Sequence, residues 1–196
     1  MLDITLVHIR SFFSSFYRKE INNPVLIRAG VLVPLFMQNG ELSVVLTRRT
    51  EEVEQHKGQV SFPGGTMDTC DATIIDTALR EAEEEIGLTK NAVEVLGTLN
   101  DFCTPSGFCI SPVVGFLPVI PSFALNKTEV SEVFDVPLSF FLNSSNERVD
   151  RRERFGKMTN VYFYGYGEHE IWGATAEILR TFLRALNTEI KHKKTL

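Results

Sequence analysis

The sequence predicts an α/β fold, a sandwich in which a mixed β-sheet lies between layers of helices. Two apolar, β-branched runs at 25–37 and 42–47 flank the dipeptide Asn39-Gly40, which is a strong signal for a β-hairpin. Two later segments, near 75–86 and 174–187, repeat apolar side chains at the spacing of a helix. Because strands and helices alternate irregularly along the chain, we expect helices on both faces of one mixed sheet.

The central predicted helix runs from about residue 72 to about residue 86. Its buried face carries apolar side chains at intervals of three and four; these are Ile75, Ala78, Leu79, Ala82 and Ile86. Asp71 is a suitable N-cap for this helix, and Gly87 is a suitable C-terminal stop. A short apolar strand and the turn Pro63-Gly64-Gly65 come directly before it.

Three glutamates lie beside the apolar face of this helix. Glu81, Glu84 and Glu85 stand at positions i, i+3 and i+4, so like charges repel on one side by about 0.2–0.5 kcal/mol per pair. We expect Glu84 and Glu85 on the solvent side of the helix. A hard divalent cation such as Mg²⁺, which prefers oxygen ligands, would offset the repulsion. The alternative is a solvated acidic face that also includes Glu83, and the glycine turn in front favours the metal site.

The N-terminal segment is predicted to be a packing helix and linker at 1–24, followed by a single domain at 25–196. Within 3–18, apolar side chains fall on one helical side after Asp3 as a candidate cap; they are Leu6, Ile9, Phe13 and Phe16. The unbroken apolar stretch is too short for a membrane span, and no signal-peptide cleavage pattern is present. His8 is expected to be a partly exposed polar residue.

Beyond the central helix the sequence predicts further elements in a fixed order. They are strands at 92–99 and 112–119 with a loop at 101–107 between them, a helix-like turn at 137–142, a charged segment at 147–154, a strand at 159–165, a short strand at 171–172 and a closing helix at 174–187.

Composition excludes several classes of function. The chain has 196 residues, of which 43% are hydrophobic and 23% charged, and a formal net charge of −5. That charge argues against general binding to nucleic acid or to anionic membranes, so a polyphosphate ligand would need a metal and a local basic patch. Cys70, Cys103 and Cys109 are odd in number and lack metal-ligand spacing, which indicates reduced thiols in a cytoplasmic protein.

The central helix resembles the core of the Nudix box. That core reads Arg-Glu-apolar-any-Glu-Glu-any-Gly-apolar, and residues 80–88 match it at every defined position. Gly65 corresponds to the upstream glycine of the box, and Asp71 stands for the usual glutamate. Both lie one residue farther upstream than in the family pattern, so the loop is one residue longer and a helix cap is the safer role for Asp71.

The resemblance to Nudix hydrolases implies a Nudix-type α/β/α sandwich and an enzyme in which water attacks a diphosphate linkage with the help of a metal ion. Mg²⁺ or Mn²⁺ is the implied cofactor. The implied ligands are Glu81, Glu84, Glu85 and the backbone carbonyl of Gly65.

Glu81 is the first candidate for the general base that the resemblance implies. Glu129 and Glu132 are the second, and the alternative for both is an ordinary surface acid. Arg80 is expected to orient the glutamates rather than to touch substrate.

A second resemblance, to the bacterial coenzyme A pyrophosphatases within the Nudix family, covers 46–50 and 58–65. These segments read LTRRT and GQVSFPGG, and they keep the spacing of that subgroup. The implied substrate-binding residues are Arg48, Arg49, Lys57, Gly58, Phe62 and Gly64. Glu54 occupies the site of a second family arginine, which makes the segment from Leu46 to Gly58 neutral overall. The alternative role for Arg49 is an ion pair with Glu54.

The implied reaction converts coenzyme A or its thioesters to 3′,5′-ADP and (acyl-)4′-phosphopantetheine. ADP-ribose, dinucleotides and nucleoside triphosphates stay open as alternative substrates. The loops at 100–111 and 143–158 are expected to build the pocket for the non-phosphate part of the substrate, and the sequence does not give their geometry. A non-catalytic ligand sensor is disfavoured because the acids of the box are all present, and a decapping role is disfavoured by the acidic balance. A small-molecule nucleotide is the expected partner, and the oligomeric state stays open, a homodimer included.

Overall fold

The computed structural model of the chain describes residues 4–51, 58–154 and 156–194. Its α-helices are α1 (Leu6–Ser15), α2 (Ile74–Ile86), α3 (Leu138–Leu142) and α4 (Gly173–Lys194). Its strands are β1 (Ile27–Gln38), β2 (Glu41–Arg49), β3 (Val60–Ser61), β4 (Gly64–Thr66), β5 (Glu94–Thr98), β6 (Phe102–Cys103), β7 (Phe108–Leu117), β8 (Val130–Pro137), β9 (Glu147–Arg154), β10 (Lys157–Tyr166) and β11 (His169–Trp172).

The larger sheet is built around β1. This strand pairs with β2 in an antiparallel hairpin and with β7 in a parallel ladder that runs from Ile27 opposite Phe108 to Phe36 opposite Leu117. The hairpin turn has φ of 51° at Asn39 and 83° at Gly40, and positive values at both positions are what a two-residue turn of this kind requires. Strands β3 and β8 add to β2, β5 and β6 add to β7, and β4 adds to β1. The sheet is therefore mixed, as predicted.

Helices cover both faces of this sheet. Helix α2 packs on one face, in a core cluster formed by residues such as Leu32, Val45, Leu79 and Val113. On the other face, α1 and α4 lie together, and the rings of Phe12 and Phe182 meet at 6.1 Å. Both clusters consist of buried apolar side chains, so the burial of apolar surface holds the three layers together. The predicted α/β/α sandwich is confirmed.

A smaller antiparallel sheet, β9-β10-β11, was not predicted in full. The charged segment 147–154 is strand β9, which pairs with β10 along its length. Two of its arginines lie over aromatic rings, the Arg148 guanidinium 4.2 Å and the Arg152 guanidinium 5.3 Å from the centre of Phe163, so pairing and cation–π contact replace the missing apolar pattern. Strand β8 was also missed, and it pairs with β2.

Several predicted helix ends shift in the structure. Thr73 caps α2, because its hydroxyl accepts from the Asp76 N–H and Asp76 accepts from the Thr73 N–H, so the expected cap at Asp71 is wrong. Gly87 ends the helix in a left-handed conformation with φ of 68°, as predicted. Helix α4 is longer than the predicted 174–187. Thr5 caps α1, while Asp3 lies outside the described residues.

The N-terminal segment is tied to the sandwich. Arg18 forms an ion pair of 2.7 Å with the buried carboxylate of Asp101, which also accepts from the Ile21 N–H. The division into 1–24 and 25–196 stays a prediction. In the part of the chain that the structure describes, no helix has the length and apolar character needed to cross a membrane.

Candidate active site

The site forms where α2 crosses the turn between β3 and β4. A Cβ atom on Gly65 would lie 2.5 Å from the Glu81 carboxyl group, and one on Gly64 would lie 2.6 Å from the Cα of Val31. Both contacts are closer than real Cβ atoms allow; Gly64 must be glycine because the clash is with backbone and its φ is 157°, whereas a side chain at Gly65 would displace the Glu81 carboxyl group. The consequence is that the Glu81 carboxylate rests directly on the backbone of Gly65.

Glu85 is the deeply buried acid of the cluster, and only 3% of it is exposed. One carboxylate oxygen accepts from the Gly64 N–H at 3.3 Å, and the other lies 3.7 Å from Nη1 of Arg49. Burial raises the pKa of Glu85 to about 8, with Arg49 acting in the opposite direction and Glu81 and Glu129 adding to the rise. The expectation of a solvent-facing Glu85 is wrong, because the turn at β4 covers this side of the helix.

Glu81 lies next to this buried acid and is largely covered. Burial raises its pKa against the attraction of Arg80, and the negative charges of Glu84 and Glu129 add to the rise. Glu84 is exposed, as expected, and Glu83 is exposed as well. Glu81 and Glu85 therefore share one largely buried acidic neighbourhood, to which Glu129 adds a further negative charge.

Arg80 connects three acids. Its Nε and Nη2 atoms donate to the two oxygens of Asp71 at 3.0 and 2.9 Å, and its Nη1 donates to Glu81 at 2.9 Å and to Glu84 at 3.0 Å. Asp71 is buried and also accepts from the Thr77 hydroxyl. The Arg80 guanidinium holds the pKa of Asp71 far below its usual range. Asp71 thus fixes the residue that positions two of the glutamates.

Arg49 and Arg48 lie on β2 but differ in surroundings. Arg49 lines the cavity described below, and its buried Nε has no hydrogen-bond partner among the described residues. Arg48 is absent from that lining. Glu54, the alternative partner predicted for Arg49, lies outside the described residues, and so does Lys57, one of the predicted substrate-binding residues.

The two second-rank acids separate in the structure. Glu129 lines the cavity and accepts from the Asn126 amide at 3.2 Å. Glu132 lies outside the lining, where it faces Nε2 of His169 at 3.6 Å. The geometry therefore favours Glu129 over Glu132 as an acid near the substrate.

A cavity of about 1200 Å³ opens beside the acid cluster. Its floor includes Gly64, Gly65 and Phe62, whereas Gly58 is outside the lining. The hairpin of β6 and β7 forms one wall, and β10, β11 and α4 form the other. The wall residues are Phe102, Thr104, Pro105, Ser106, Phe108 and Ile110 on the first side and Thr159, Asn160, Val161, Tyr162, Trp172, Thr175, Glu177 and Ile178 on the second.

The position of these walls was predicted in part. The loop at 100–111 contributes one wall, as expected, but the second wall begins at Thr159 rather than within 143–158. Sequence reasoning missed Tyr162, Trp172 and Glu177. The alternating aromatic residues of β10 indicate a strand, but they do not reveal which face of the strand meets the cavity.

The donor set fits a hard divalent cation. Glu81, Glu84 and Glu85 offer carboxylate oxygens, and the Gly65 backbone lies against Glu81 with no side chain between them. Across the described ranges, no three acidic, histidine or cysteine side chains already stand close enough together to hold an ion. Arg80 engages one oxygen of Glu81 and one of Glu84, which leaves the second oxygen of each outside that ion pair.

Known proteins resemble this chain in sequence and in fold. The model of the NUDIX domain matches residues 26–139. NudL from Photorhabdus laumondii, described as an uncharacterized Nudix hydrolase, is 43% identical over 151 residues, which are 77% of this chain and 80% of the relative. NudL from Yersinia enterocolitica is 40% identical over 159 residues, or 81% of each protein. The crystal structure of a MutT/nudix family protein from Enterococcus faecalis matches with a TM-score of 0.51 and 17% identity, covering 94% of this chain and 70% of that one, and it supports the fold alone. The chain belongs to the Nudix hydrolase family.

Proposed function

We propose that this Nudix hydrolase, which acts on a nucleoside diphosphate derivative, takes coenzyme A or its thioesters as substrate. The products would be 3′,5′-ADP and (acyl-)4′-phosphopantetheine. The observation that carries the proposal is the segment pair 46–50 and 58–65, which keeps the coenzyme A subgroup spacing and lines the cavity through Arg49 and Phe62. A cytoplasmic location is part of the same proposal.

The acid cluster would provide the hydrolytic centre. Glu81, Glu84, Glu85 and the carbonyl of Gly65 would hold Mg²⁺ or Mn²⁺, which when bound screens the diphosphate charge and lowers the pKa of a coordinated water. Glu81 is the base we favour for taking the proton of the attacking water, because burial already gives its carboxyl a raised pKa. Glu129, on the cavity side, is the second choice.

Arg80 has a positioning role in this proposal. Its guanidinium is fixed by two hydrogen bonds to Asp71 and reaches Glu81 and Glu84 with the remaining nitrogen. A guanidinium held in this way restricts the rotamers of both glutamates. Arg80 would therefore hold the free carboxylate oxygens of Glu81 and Glu84 in position for the metal ion.

Arg49 would bind the phosphates. Its guanidinium faces the cavity, its Nε lacks a protein partner among the described residues, and its contact with Glu85 is long at 3.7 Å. A planar fork of donors with unused capacity suits a phosphate oxygen. Binding there would place the diphosphate beside the carboxylates of α2.

The cavity has room for organic groups on both sides of a diphosphate. Its volume of about 1200 Å³ exceeds the roughly 300–1000 Å³ of common small-molecule sites. One wall carries Phe102 and Phe108, and the other carries Tyr162 and Trp172. A nucleoside stacked on one wall leaves the opposite wall for an elongated second group such as pantetheine.

A substrate screen tests the proposal. Coenzyme A, acetyl-coenzyme A, ADP-ribose, a diadenosine polyphosphate and nucleoside triphosphates are each incubated with the protein and Mg²⁺ or Mn²⁺, and the products are identified by mass. We expect the highest kcat/KM for coenzyme A or acetyl-coenzyme A, with 3′,5′-ADP as the shared product. Preference for ADP-ribose or a dinucleotide would reject the coenzyme A assignment and leave the Nudix hydrolase assignment in place.

A further inference from the structure

Two cysteines face each other across the β6–β7 hairpin. Cys103 and Cys109 are directly opposed in the antiparallel ladder. The next pair toward the loop is hydrogen-bonded, because the Thr104 N–H donates to the Phe108 carbonyl at 2.8 Å. Since the two kinds of pair alternate, the cysteines form a non-hydrogen-bonded pair, in which Cα atoms are about 4.5 Å apart. A disulfide spans Cα separations of about 4.4–6.8 Å.

The two thiols have different access to solvent. Cys103 is exposed, whereas Cys109 is buried beneath the N-terminal segment and donates to the Ile21 carbonyl at 3.8 Å. Burial raises the pKa of Cys109 to about 11, and the neighbouring Asp101 and Cys103 side chains add to the rise. An oxidant from solvent therefore reaches Cys103 first, with Cys109 directly behind it.

The pair lies on the back of a cavity wall. Phe102, Phe108 and Ile110 line the cavity, as do residues 104–106 of the loop between the strands. Neighbouring side chains of a strand point to opposite faces, so Cys103 and Cys109 lie on the side away from the cavity. A disulfide between Cys103 and Cys109 would hold strands β6 and β7 together next to their connecting loop, and it would not occupy the cavity.

We propose that Cys103 and Cys109 are a reversible dithiol–disulfide site that fixes the β6–β7 wall of the cavity. The oxidant is a small-molecule disulfide, RSSR. The Cys103 thiolate attacks one of its sulfurs, forms a mixed disulfide and releases RS⁻; Cys109 then gives up its proton, attacks the Cys103 sulfur and releases the second RS⁻. The two protein thiols are oxidised to one disulfide, RSSR is reduced, and the two thiol protons pass to the released thiolates as RSH.

Peptide mapping tests the site. The full chain with Cys70→Ser, which removes the third thiol, is incubated with oxidised glutathione, alkylated and digested with trypsin. We expect the peptide 91–127, which contains both cysteines, to lose two hydrogens and to resist alkylation until a reductant is added. In the matched variant Cys109→Ser, the reaction should stop at a glutathione adduct on Cys103. A glutathione adduct that persists on Cys103 while Cys109 is intact would overturn the site.

The effect on the wall has its own readouts. Closing the short loop should raise the midpoint of thermal unfolding by about 2–8 °C. With acetyl-coenzyme A, which carries no free thiol, KM should fall by about two- to fivefold at unchanged kcat, because less loop entropy is lost on binding. A disulfide that leaves both the midpoint and KM unchanged would overturn the effect on the wall. The mass and unfolding measurements need no substrate, so they stand even where the coenzyme A assignment fails.

Discussion

Arg80 donates two hydrogen bonds, of 3.0 and 2.9 Å, to the carboxylate of Asp71. Because Arg80 also donates to Glu81 and Glu84, it links the loop before α2 to these glutamates of the helix. Asp71 is nine residues upstream of Arg80 and is buried, and its carboxylate also accepts from the Thr77 hydroxyl and the Asp68 N–H. Asp71 therefore positions Arg80 and is not the N-cap of α2.

Replacing Asp71 with Asn should destabilise the protein by about 2 kcal/mol, because a buried charge-assisted pair loses one charge. The pKa of Asp71 is lowered in the folded state, so its contribution is fully present above the unfolded value of about 4 and is lost progressively as the pH falls from there towards the lower pKa of the folded state. Unfolding by urea between pH 3 and pH 7 checks this. A difference between wild type and variant that stays constant across this range would contradict the assignment.

Substitution of the glutamates separates ligands from bystanders. Glu84→Gln and Glu85→Gln should each lower metal-dependent hydrolysis by about tenfold to a hundredfold, because each removes a negative oxygen donor. Glu83→Gln is the matched control on the same helix, since Glu83 is exposed and takes no part in the contacts of Arg80. Rates and Mg²⁺ titrations measured side by side decide the matter, and full turnover in both test variants would rule out the metal assignment.

Some elements could be predicted because local signals specify them. The apolar spacing of α2 and the pair Asn39-Gly40 act within a few residues, and both predictions are confirmed. Asp71 and Thr73 are both good cap residues, and the reciprocal pairing of Thr73 with Asp76 three residues later is a local signal that favours Thr73. The role of Asp71, by contrast, depends on its long-range contact with Arg80, which local propensity does not reveal.

Burial of Glu85 depends on tertiary contacts. A glutamate beside the apolar stripe of a helix looks the same in sequence whether water or another segment covers it. Here Gly64 approaches closely enough to donate its N–H to the carboxylate. Strand β9 is a similar case, because its alternation is charged rather than apolar and its partner β10 supplies the order.

Glu85 should make the metal-free protein less stable as the pH rises. Its pKa is about 8 in the folded state and about 4.3 in the unfolded state, so the folded state retains a proton that the unfolded state releases. Stability should fall between these two pH values and level off above about 8.

Thermal unfolding in a chelator at pH 5 and pH 8 measures this effect. Glu85→Gln should be more stable than wild type at pH 8 and close to it at pH 5, because glutamine carries no charge to bury. Added Mg²⁺ should stabilise the wild type at pH 8 more than the variant. Equal pH dependence in the two proteins would show that folding does not raise the pKa of Glu85.

Arg49→Ala should lower kcat/KM for a phosphorylated substrate. The loss of a partly exposed, charge-assisted contact is worth about 1–2 kcal/mol, or about five- to thirtyfold in kcat/KM, and it should shrink as salt is raised. Arg48→Ala is the comparison, since Arg48 is the adjacent arginine on β2 but does not line the cavity. We expect its kcat/KM to stay within about twofold of wild type.

The measurement is kcat/KM for coenzyme A, its 3′-dephospho form and ADP-ribose at low and high salt. Equal losses in both variants would show that the two arginines act through the overall charge of the protein, because only Arg49 is placed to reach a ligand in the cavity.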